Sequence, residues 1–482
     1  MNKYKKLLSD TALYGVGTFA SKLLVFFLTR LYTECLSPAE YSRADLVTNM
    51  ANLLIPLAAA GICDAIFRFA LEKNADKRAV LSSGALILIA SSIAFLILSP
   101  LLLIGQFFKG YVFLIVLYVL MSNFHSMCAQ YVRASDRPKL FALQGIINTV
   151  LTISFNILFL VVLPDDNLLN GVFGYVLSIV IADFLLGVFL LFYARIYREI
   201  RFGAFQKKLA LSMLKYSVPL IPTTVFWWIT NVSDRYMVTY FCGETENGLY
   251  TAAYKIPTLL TLMTGVFSEA WQFSAAREED AQSRSVFYGT VFSCFQGLIF
   301  LAGACVVMLA RVFSEMLYAE AYYEAWRFIP LLVISGVFSS FVNFLSSVYM
   351  VKKRSVKSFL TSMIGALTNV ALNFILIPES LTFGAFSVKC AGLGAYGAAL
   401  ATLASYVTVF VIRAIDTRSL LKFDMHIVRL VFNTALLVSS SIVMLTVQST
   451  TALYIIQVLF VSAILAVNAA PLIKGVKAIL SK

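Results

Sequence analysis

The chain has 482 residues, of which 60% are hydrophobic, 14% aromatic and only 13% charged. A water-soluble globule carries about 25% charged residues, so this composition excludes a soluble enzyme and makes the bilayer the natural solvent. The formal charge of +13 belongs to membrane-surface contact, because no soluble basic domain exists to bind nucleic acid.

A helix needs roughly 20 apolar residues to cross a hydrocarbon core of about 30 Å. In chain order such spans are predicted near 10–33, 40–69, 79–104, 110–132, 139–163, 170–194, 212–241, 247–274, 285–311, 326–350, 357–377, 392–415, 426–447 and 452–472. These fourteen spans define an all-α integral membrane protein. The N-terminal MNKYKKLLSD has the basic start of a signal peptide, but the apolar run after it is full length and lacks a small-residue cleavage site, so it is expected to remain as the first helix.

Cytoplasmic loops carry the excess of Lys and Arg, and here the connections alternate. The set made of the N-terminal segment and residues 73–78, 133–139, 195–208, 277–284, 352–357, 413–422 and 474–482 holds 26 cations, with Arg413 counted among them. The other set holds Lys109 and Lys389 and is marked by acids such as Glu34, Glu40, Glu244, Glu246 and Glu379. Both termini are therefore expected in the cytoplasm. Seven cysteines without paired short spacing suggest neither a disulfide nor a zinc framework.

The basic segment Arg195 to Lys208 suggests an organisation of six helices (1–200), six more (201–420) and two appended helices (421–482). A weak internal echo supports that division. "TRLYTECLSPAEYSRADL" and "SDRYMVTYFCGETENGLYTAAYK" both run from an Arg through a short acidic turn to a Tyr on the next helix. Repeats of this kind are common in transporters, with the substrate between the halves.

A charge near mid-bilayer costs roughly 2.5 to 3.5 kcal/mol even on insertion scales, and such charges are unevenly placed here. Lys22 and Arg30 lie in the first span; Arg43, Asp45, Asp64 and Arg68 in the second; Asp183 in the sixth; Asp234 and Arg235 in the seventh; Lys255 and Glu269 in the eighth. Spans 10 to 12 offer only Asn343, Asn369 and Asn373 at depth. Arg235, seven residues before Cys242, and Lys255, seven after Gly248, are expected at similar height.

One reading places Lys22, Arg235 and Lys255, with Arg30 and Arg43 above and Arg68 below, around a cationic cavity for a phosphate or pyrophosphate, which Arg forks and Lys point charges suit. The alternative pairs Arg30 and Arg43 with Glu34, Glu40 or Asp45, and Asp64 with Arg68 one turn away. Asp234 and Arg235 diverge by about 100° on a helix, so at least one looks into a cavity or across a helix interface. Asp64, Asp183, Asp234 and Glu269 are candidates for carrying a coupling sodium ion or proton, or for pairing with a cation on another helix.

"GLGAYG" at Gly392, Gly394 and Gly397 opens an apolar helix with no strand before it, so close helix packing explains it better than a dinucleotide site. Pro56, Pro219, Pro222, Pro257 and Pro330 would kink helices and free carbonyls. His125 and His426 stand isolated in the sequence, without a nucleophile-base or metal cluster, and no catalytic site or metal is expected.

The segments "YGVGTFASKLLVFFLTRLYTECLSPAEYSRADL", "GICDAIFRFAL", "SDRYMVTYFCGETENGLYTAAYKIPTLL" and "GLGAYGAALATLASY" resemble the polysaccharide transporter group of lipid-linked oligosaccharide flippases. That group lies within the multidrug, oligosaccharidyl-lipid and polysaccharide exporter superfamily, and the resemblance covers essentially the whole chain. It implies two six-helix bundles around a central cavity, two additional C-terminal helices, alternating access, and export of a prenyl-pyrophosphate-linked glycan across the cytoplasmic membrane. By motif, the family's cavity cations would correspond to Lys22, Arg30, Arg68, Arg235 and Lys255. Glycosyltransferases and a glycan polymerase would be functional partners of a monomeric carrier. A lipid II flippase would show a denser Arg pattern in the first helix than Lys22 and Arg30. A cation-coupled multidrug or metabolite exporter of the same fold is the other alternative.

Overall fold

The computed structural model describes residue 26 and residues 28–480, apart from 73–74, 105–107, 136, 164–168, 266, 268–280, 353 and 384–385. Its contacts divide the chain into two compact units, Met1–Trp228 and Ile229–Lys482. Unit 1 holds α1 (Pro38–Ala58), α2 (Ile62–Ala70), α3 (Lys77–Leu98), α4 (Val112–Ala134), α5 (Pro138–Ile157), α6 (Gly171–Tyr193), α7 (Lys207–Ser217) and the start of α8 (Ile221–Cys242). Unit 2 holds the rest of α8, then α9 (Glu244–Lys255), α10 (Ala281–Met308), α11 (Ala310–Leu317), α12 (Ile329–Val351) and α13 (Ser355–Leu376). After the strands β1 (Ser380–Phe383) and β2 (Phe386–Lys389) it ends in α14 (Gly394–Leu420), α15 (Ile427–Thr446) and α16 (Thr450–Leu480).

Among the described residues, 11 helices are long and apolar enough to cross a membrane, and α1 with α2 make one further span bent by 55°. These coincide with predicted spans 2 to 7 and 9 to 14. Spans 1 and 8 run into residues 1–25 and 268–280, outside the described residues. The all-α membrane architecture of about fourteen spans therefore stands. A departure among the described residues is the antiparallel ribbon β1–β2, paired from Ser380 with Lys389 to Phe383 with Phe386, in a stretch expected only as an outer loop. The alternation of SLTF and FSVK is too short to signal a strand above a hydropathy trace.

Helix starts follow from local chemistry. Ser37 and Glu40 form a reciprocal capping box with Pro38 in the first turn of α1, and Asp76 accepts from the Arg78 and Ala79 amides at 3.0 and 3.2 Å to open α3. The α1/α2 span breaks just after Pro56, where Ala60 and Gly61 adopt φ of 49° and 64°. The α7/α8 span is interrupted by the 3₁₀ turn Val218–Leu220, which contains Pro219. Ser217 Oγ donates to the Ala60 carbonyl at 2.7 Å, and a Cβ on Gly61 would lie 3.2 Å from Ser217 Cβ, so the two interruptions touch. Pro257 lies in the turn that follows α9, whereas Pro222 and Pro330 sit at the second positions of α8 and α12 and mark starts rather than kinks.

In unit 1, α4 packs along α6, α1 and α2, around a core including Ile62, Ile66, Leu81, Cys128 and Val132. Helix α3 turns Ile89, Ile93, Leu96 and Ile97 outward, as a helix in hydrocarbon does. In unit 2, α14 packs on α12 and α13, while α15 and α16 pack on α10. An aromatic core of Tyr288, Phe292, Phe295, Phe341, Phe344 and Phe423 lies among them. In GLGAYG, Gly392 and Gly394 have positive φ. A Cβ on Gly397 would meet the Leu376 carbonyl at 2.5 Å, which is the close packing expected of it.

Candidate functional site

A polar cluster of unit 2 surrounds Asp234, whose side chain is fully buried. Its Oδ2 accepts from the hydroxyls of Tyr250 (2.7 Å), Tyr254 (3.3 Å) and Thr402 (3.3 Å), and its Oδ1 from the Arg235 amide (2.9 Å). Asn369 extends the network. Its Nδ2 donates to Thr402 Oγ1 at 3.2 Å, and its Oδ1 accepts from Ser233 at 3.3 Å and Asn373 at 2.9 Å. Tyr406 donates to Asn231 Oδ1 at 2.7 Å.

The cluster is built from helical spacing. Tyr250 and Tyr254 on α9, Asn369 and Asn373 on α13, and Thr402 and Tyr406 on α14 are each one turn apart; the α9 and α14 pairs meet Asp234 and Asn231 of α8, and Asn369 meets Ser233 beside them. Neutral dipoles thus hold a carboxylate inside the bundle, as a buried anion requires. Of the members of this cluster, the sequence singled out Asp234, Arg235, Asn369 and Asn373 at depth. The recurring four-residue spacing of Tyr and Thr in apolar helices was the signal for the rest.

Arg235 points elsewhere, as its neighbour position demands. It is half-buried, and its guanidinium lies 4.7 Å from the centroid of the Tyr254 ring, a cation–π distance. Lys255, also half-buried, follows Tyr254 directly. Helices α8 and α9 are joined by Gly243 alone, at φ 95°, so Arg235 and Lys255 lie on consecutive helices.

Unit 1 holds a second cluster. Asp183 of α6 accepts from Ser122 on Oδ2, and on Oδ1 from Asn148 Nδ2 at 3.3 Å, while His125 Nδ1 lies 3.0 Å from Oδ1. The other ring nitrogen, His125 Nε2, lies 2.8 Å from Gln144 Oε1. His125 is therefore not isolated. Its partners are 58 and 19 residues away in the chain, where inspection of local spacing does not reach. His426 likewise meets Asp424, at 3.0 Å.

The remaining charges separate. Arg30 pairs with Glu34 at 2.6 Å, and Arg43 lines an open cleft of about 630 Å³ with Glu34, Glu40, Tyr111 and Asn170. Arg68 pairs with Glu72 at 3.5 Å rather than with Asp64. Lys22 and Glu269 lie outside the described residues. Arg413, expected at the cytoplasmic rim, is fully buried inside unit 2. It donates from Nε to Thr361 (2.9 Å), from Nη1 to the Val342 carbonyl (3.0 Å) and Ser346, and from Nη2 to the Ser358 carbonyl (3.2 Å) and Ser362 (2.9 Å). Among the described residues, no group of three or more His, Cys, Asp and Glu side chains is placed to hold a metal ion.

The fold is shared with solved transporters. A lipid II flippase, MurJ, in an inward closed conformation matches with a TM-score of 0.68 at 14% identity, over 96% of this chain and 99% of that one. An inward-facing multidrug resistance MATE family transporter of the MOP superfamily matches with a TM-score of 0.62 at 14% identity, over 85% and 95%. A MOP superfamily transporter from Pyrococcus furiosus matches at 0.54 and 15% identity, over 85% and 96%. At these identities the likeness is one of fold. No curated protein matches the chain. The family described as polysaccharide biosynthesis protein matches residues 7–273, and with that match spanning more than half of its length, this multi-pass membrane chain belongs to the polysaccharide biosynthesis protein family.

Proposed function

We propose that the chain flips a prenyl-pyrophosphate-linked oligosaccharide across the cytoplasmic membrane by alternating access, supplying surface polysaccharide assembly. The observation that carries this reading is the family match to polysaccharide biosynthesis, joined to a transporter fold. A transporter in such a process moves an intermediate whose pyrophosphate is its one fixed anion, while the glycan varies.

In this reading Arg235 and Lys255 hold the pyrophosphate, with Lys22, Arg30, Arg43 and Arg68 along its route. Arg235 lies against the face of Tyr254, and Arg30 and Arg68 pair with Glu34 and Glu72. Both termini lie in the cytoplasm, a monomer carries the substrate, and sodium or protons couple the cycle through one of Asp64, Asp183, Asp234 and Glu269. Glycosyltransferases supply the substrate and a polymerase consumes it.

The test is flipping of a fluorescent prenyl-pyrophosphate glycan in proteoliposomes, with lipid II and a cationic dye as competitors. Arg235→Ala and Lys255→Ala are expected to lose most of the flipping at unchanged protein level. Wild-type rates in both would remove them from the site, and strong competition by the dye alone would favour a multidrug-type exporter.

A further inference from the structure

Spans of unit 1 meet around an open cleft of about 630 Å³ at the end expected to face outward. The first span brings Glu34, α1 brings Glu40 and Arg43, the turn before α4 brings Tyr111, and the start of α6 brings Asn170 and Phe173. The backbone around it is irregular. Helix α5 ends in the π turn Leu158–Val162, where Val161 is 54% exposed on the cleft wall. Asn170 caps α6, and its Nδ2 donates to the Leu163 carbonyl at 3.3 Å. At Gly171, φ 66°, a Cβ would lie 3.6 Å from Glu40 Oε1, so α6 approaches α1 there.

Three polar atoms of this wall are unspent among the described residues. Glu34 gives Oε1 to Arg30 at 2.6 Å and keeps Oε2. Glu40 gives Oε2 to the Ser37 amide and hydroxyl, at 2.9 and 2.7 Å, and keeps Oε1. The Tyr111 hydroxyl bonds none of the described residues. Its ring lies 6.0 Å from that of Phe173 at 42°, too far and too tilted for the two to stack face to face. Charge is balanced as well. Arg30 answers Glu34, and Arg43 stands one turn from Glu40 on α1, so two carboxylates meet two guanidiniums.

This balance decides between ligands. A phosphate or pyrophosphate would face two carboxylates, so although Arg43 lies on the pyrophosphate's route in the reading above, an anion does not settle here. A divalent cation needs a fuller set of oxygen ligands, and among the described residues no group of three acidic or metal-binding side chains stands ready. A saccharide meets every part of the wall. Its hydroxyls donate to carboxylate oxygens and accept from guanidinium and amide N–H groups. Its C–H face, slightly positive, rests on the negative face of an aromatic ring. The volume falls within the roughly 300 to 1,000 Å³ of small-molecule sites.

We propose that this cleft is a saccharide-binding site of unit 1, which holds the sugar portion of the cargo as it leaves. Tyr111 and Phe173 supply the apolar platform, and Glu34, Glu40 and Arg43 the hydrogen bonds. Binding is weak by construction, because an open cleft leaves part of the sugar in water and orders it for few contacts. That the sugar is cargo rests on the transport reading above; that the wall takes a neutral saccharide rests on its own chemistry.

The test is saturation-transfer NMR on the full chain in nanodiscs, with N,N′-diacetylchitobiose and maltose as neutral probes and glycerol 3-phosphate as the anionic one. The sugars should receive saturation, strongest at the C–H protons of one ring face, and glycerol 3-phosphate should receive none. Tyr111→Leu with Phe173→Leu keeps apolar bulk, removes both rings and should abolish the sugar signal at an unchanged melting midpoint. Cys35 also lines the cleft and gives a second readout that needs no change of the wall. With Cys242, Cys294, Cys305 and Cys390 replaced by serine, about 10 mM diacetylchitobiose should slow maleimide labelling of Cys35 about threefold, as a Kd of about 5 mM implies. No saturation of either sugar, a signal that the double Leu variant retains, or preference for glycerol 3-phosphate overturns the proposal. If the double variant melts lower, labelling of Cys35 at the same rate with and without sugar overturns it instead. Sugar binding without glycan flipping in proteoliposomes would overturn the transport reading and leave the site, whereas flipping without sugar binding would overturn the site alone.

Discussion

Arg413 offers a prediction whose size follows from its surroundings. Its five N–H groups meet five acceptors on α12 and α13, with the Tyr349 ring centroid 5.7 Å from its guanidinium carbon. The acceptors do not depend on it, however. Ser346, Thr361 and Ser362 also donate to helix carbonyls of Val342 and Ser358 at 2.9 to 3.0 Å, so removing the guanidinium orphans no hydroxyl. Arg413→Ala loses the bonds and leaves a cavity, which together cost about 3 to 5 kcal/mol. Arg413→Leu refills much of the space and relieves the desolvation of a buried charge, so its loss should be about 1 to 2 kcal/mol. Arg413→Lys keeps the charge with three donors in place of five and should fall between them. For a unit of roughly 250 residues each kcal/mol moves the melting midpoint by about 2 °C. Fluorescence-detected melting in detergent should then show drops of roughly 6 to 10 °C for Ala and 2 to 4 °C for Leu. A Leu variant that melts below the Lys variant would refute the reasoning, because it would mean that the hydroxyls and carbonyls need the cation.

Three further outcomes are expected. Gly187→Val should cost about 1 to 3 kcal/mol in a melting assay by forcing α6 away from Phe124 and His125; an unchanged midpoint would show that the helices can part freely. Tyr250→Phe removes the 2.7 Å bond to the Asp234 carboxylate and should destabilise unit 2 by about 1.5 to 3 kcal/mol, measured the same way. Cys242, exposed at the end of α8, should react with an impermeant maleimide on intact cells when the other cysteines are replaced. Labelling only after lysis would invert the topology.

Much of the fold was legible because hydropathy reports solvent. A run such as Lys77–Ile104 declares its bilayer whatever it packs against. The polar clusters were less so, because they depend on which helices become neighbours. Asp234 and Arg235 could be seen to diverge from geometry alone. That Asp234 would meet Tyr250 and Thr402 depends on α9 and α14 lying against α8. Arg68 illustrates the limit from the other side: Asp64 and Glu72 both stand one turn from it, and spacing cannot choose between them. Arg413 read as rim charge because it ends a predicted span in sequence, yet α14 continues to Leu420 and keeps that side chain inside.

The contact between Ser217 and the break at Ala60 and Gly61 gives unit 1 a mechanical property of its own. The α1/α2 span and the α7/α8 span are each jointed, and the joints are fastened to one another by a 2.7 Å bond and a close fit. Straightening one span means pulling Ser217 off a carbonyl that has no helical partner to return to while Pro56 and the left-handed residues keep the other bent. The bend of the first span is thereby tied to the 3₁₀ turn of the second, and neither can shift there without the other.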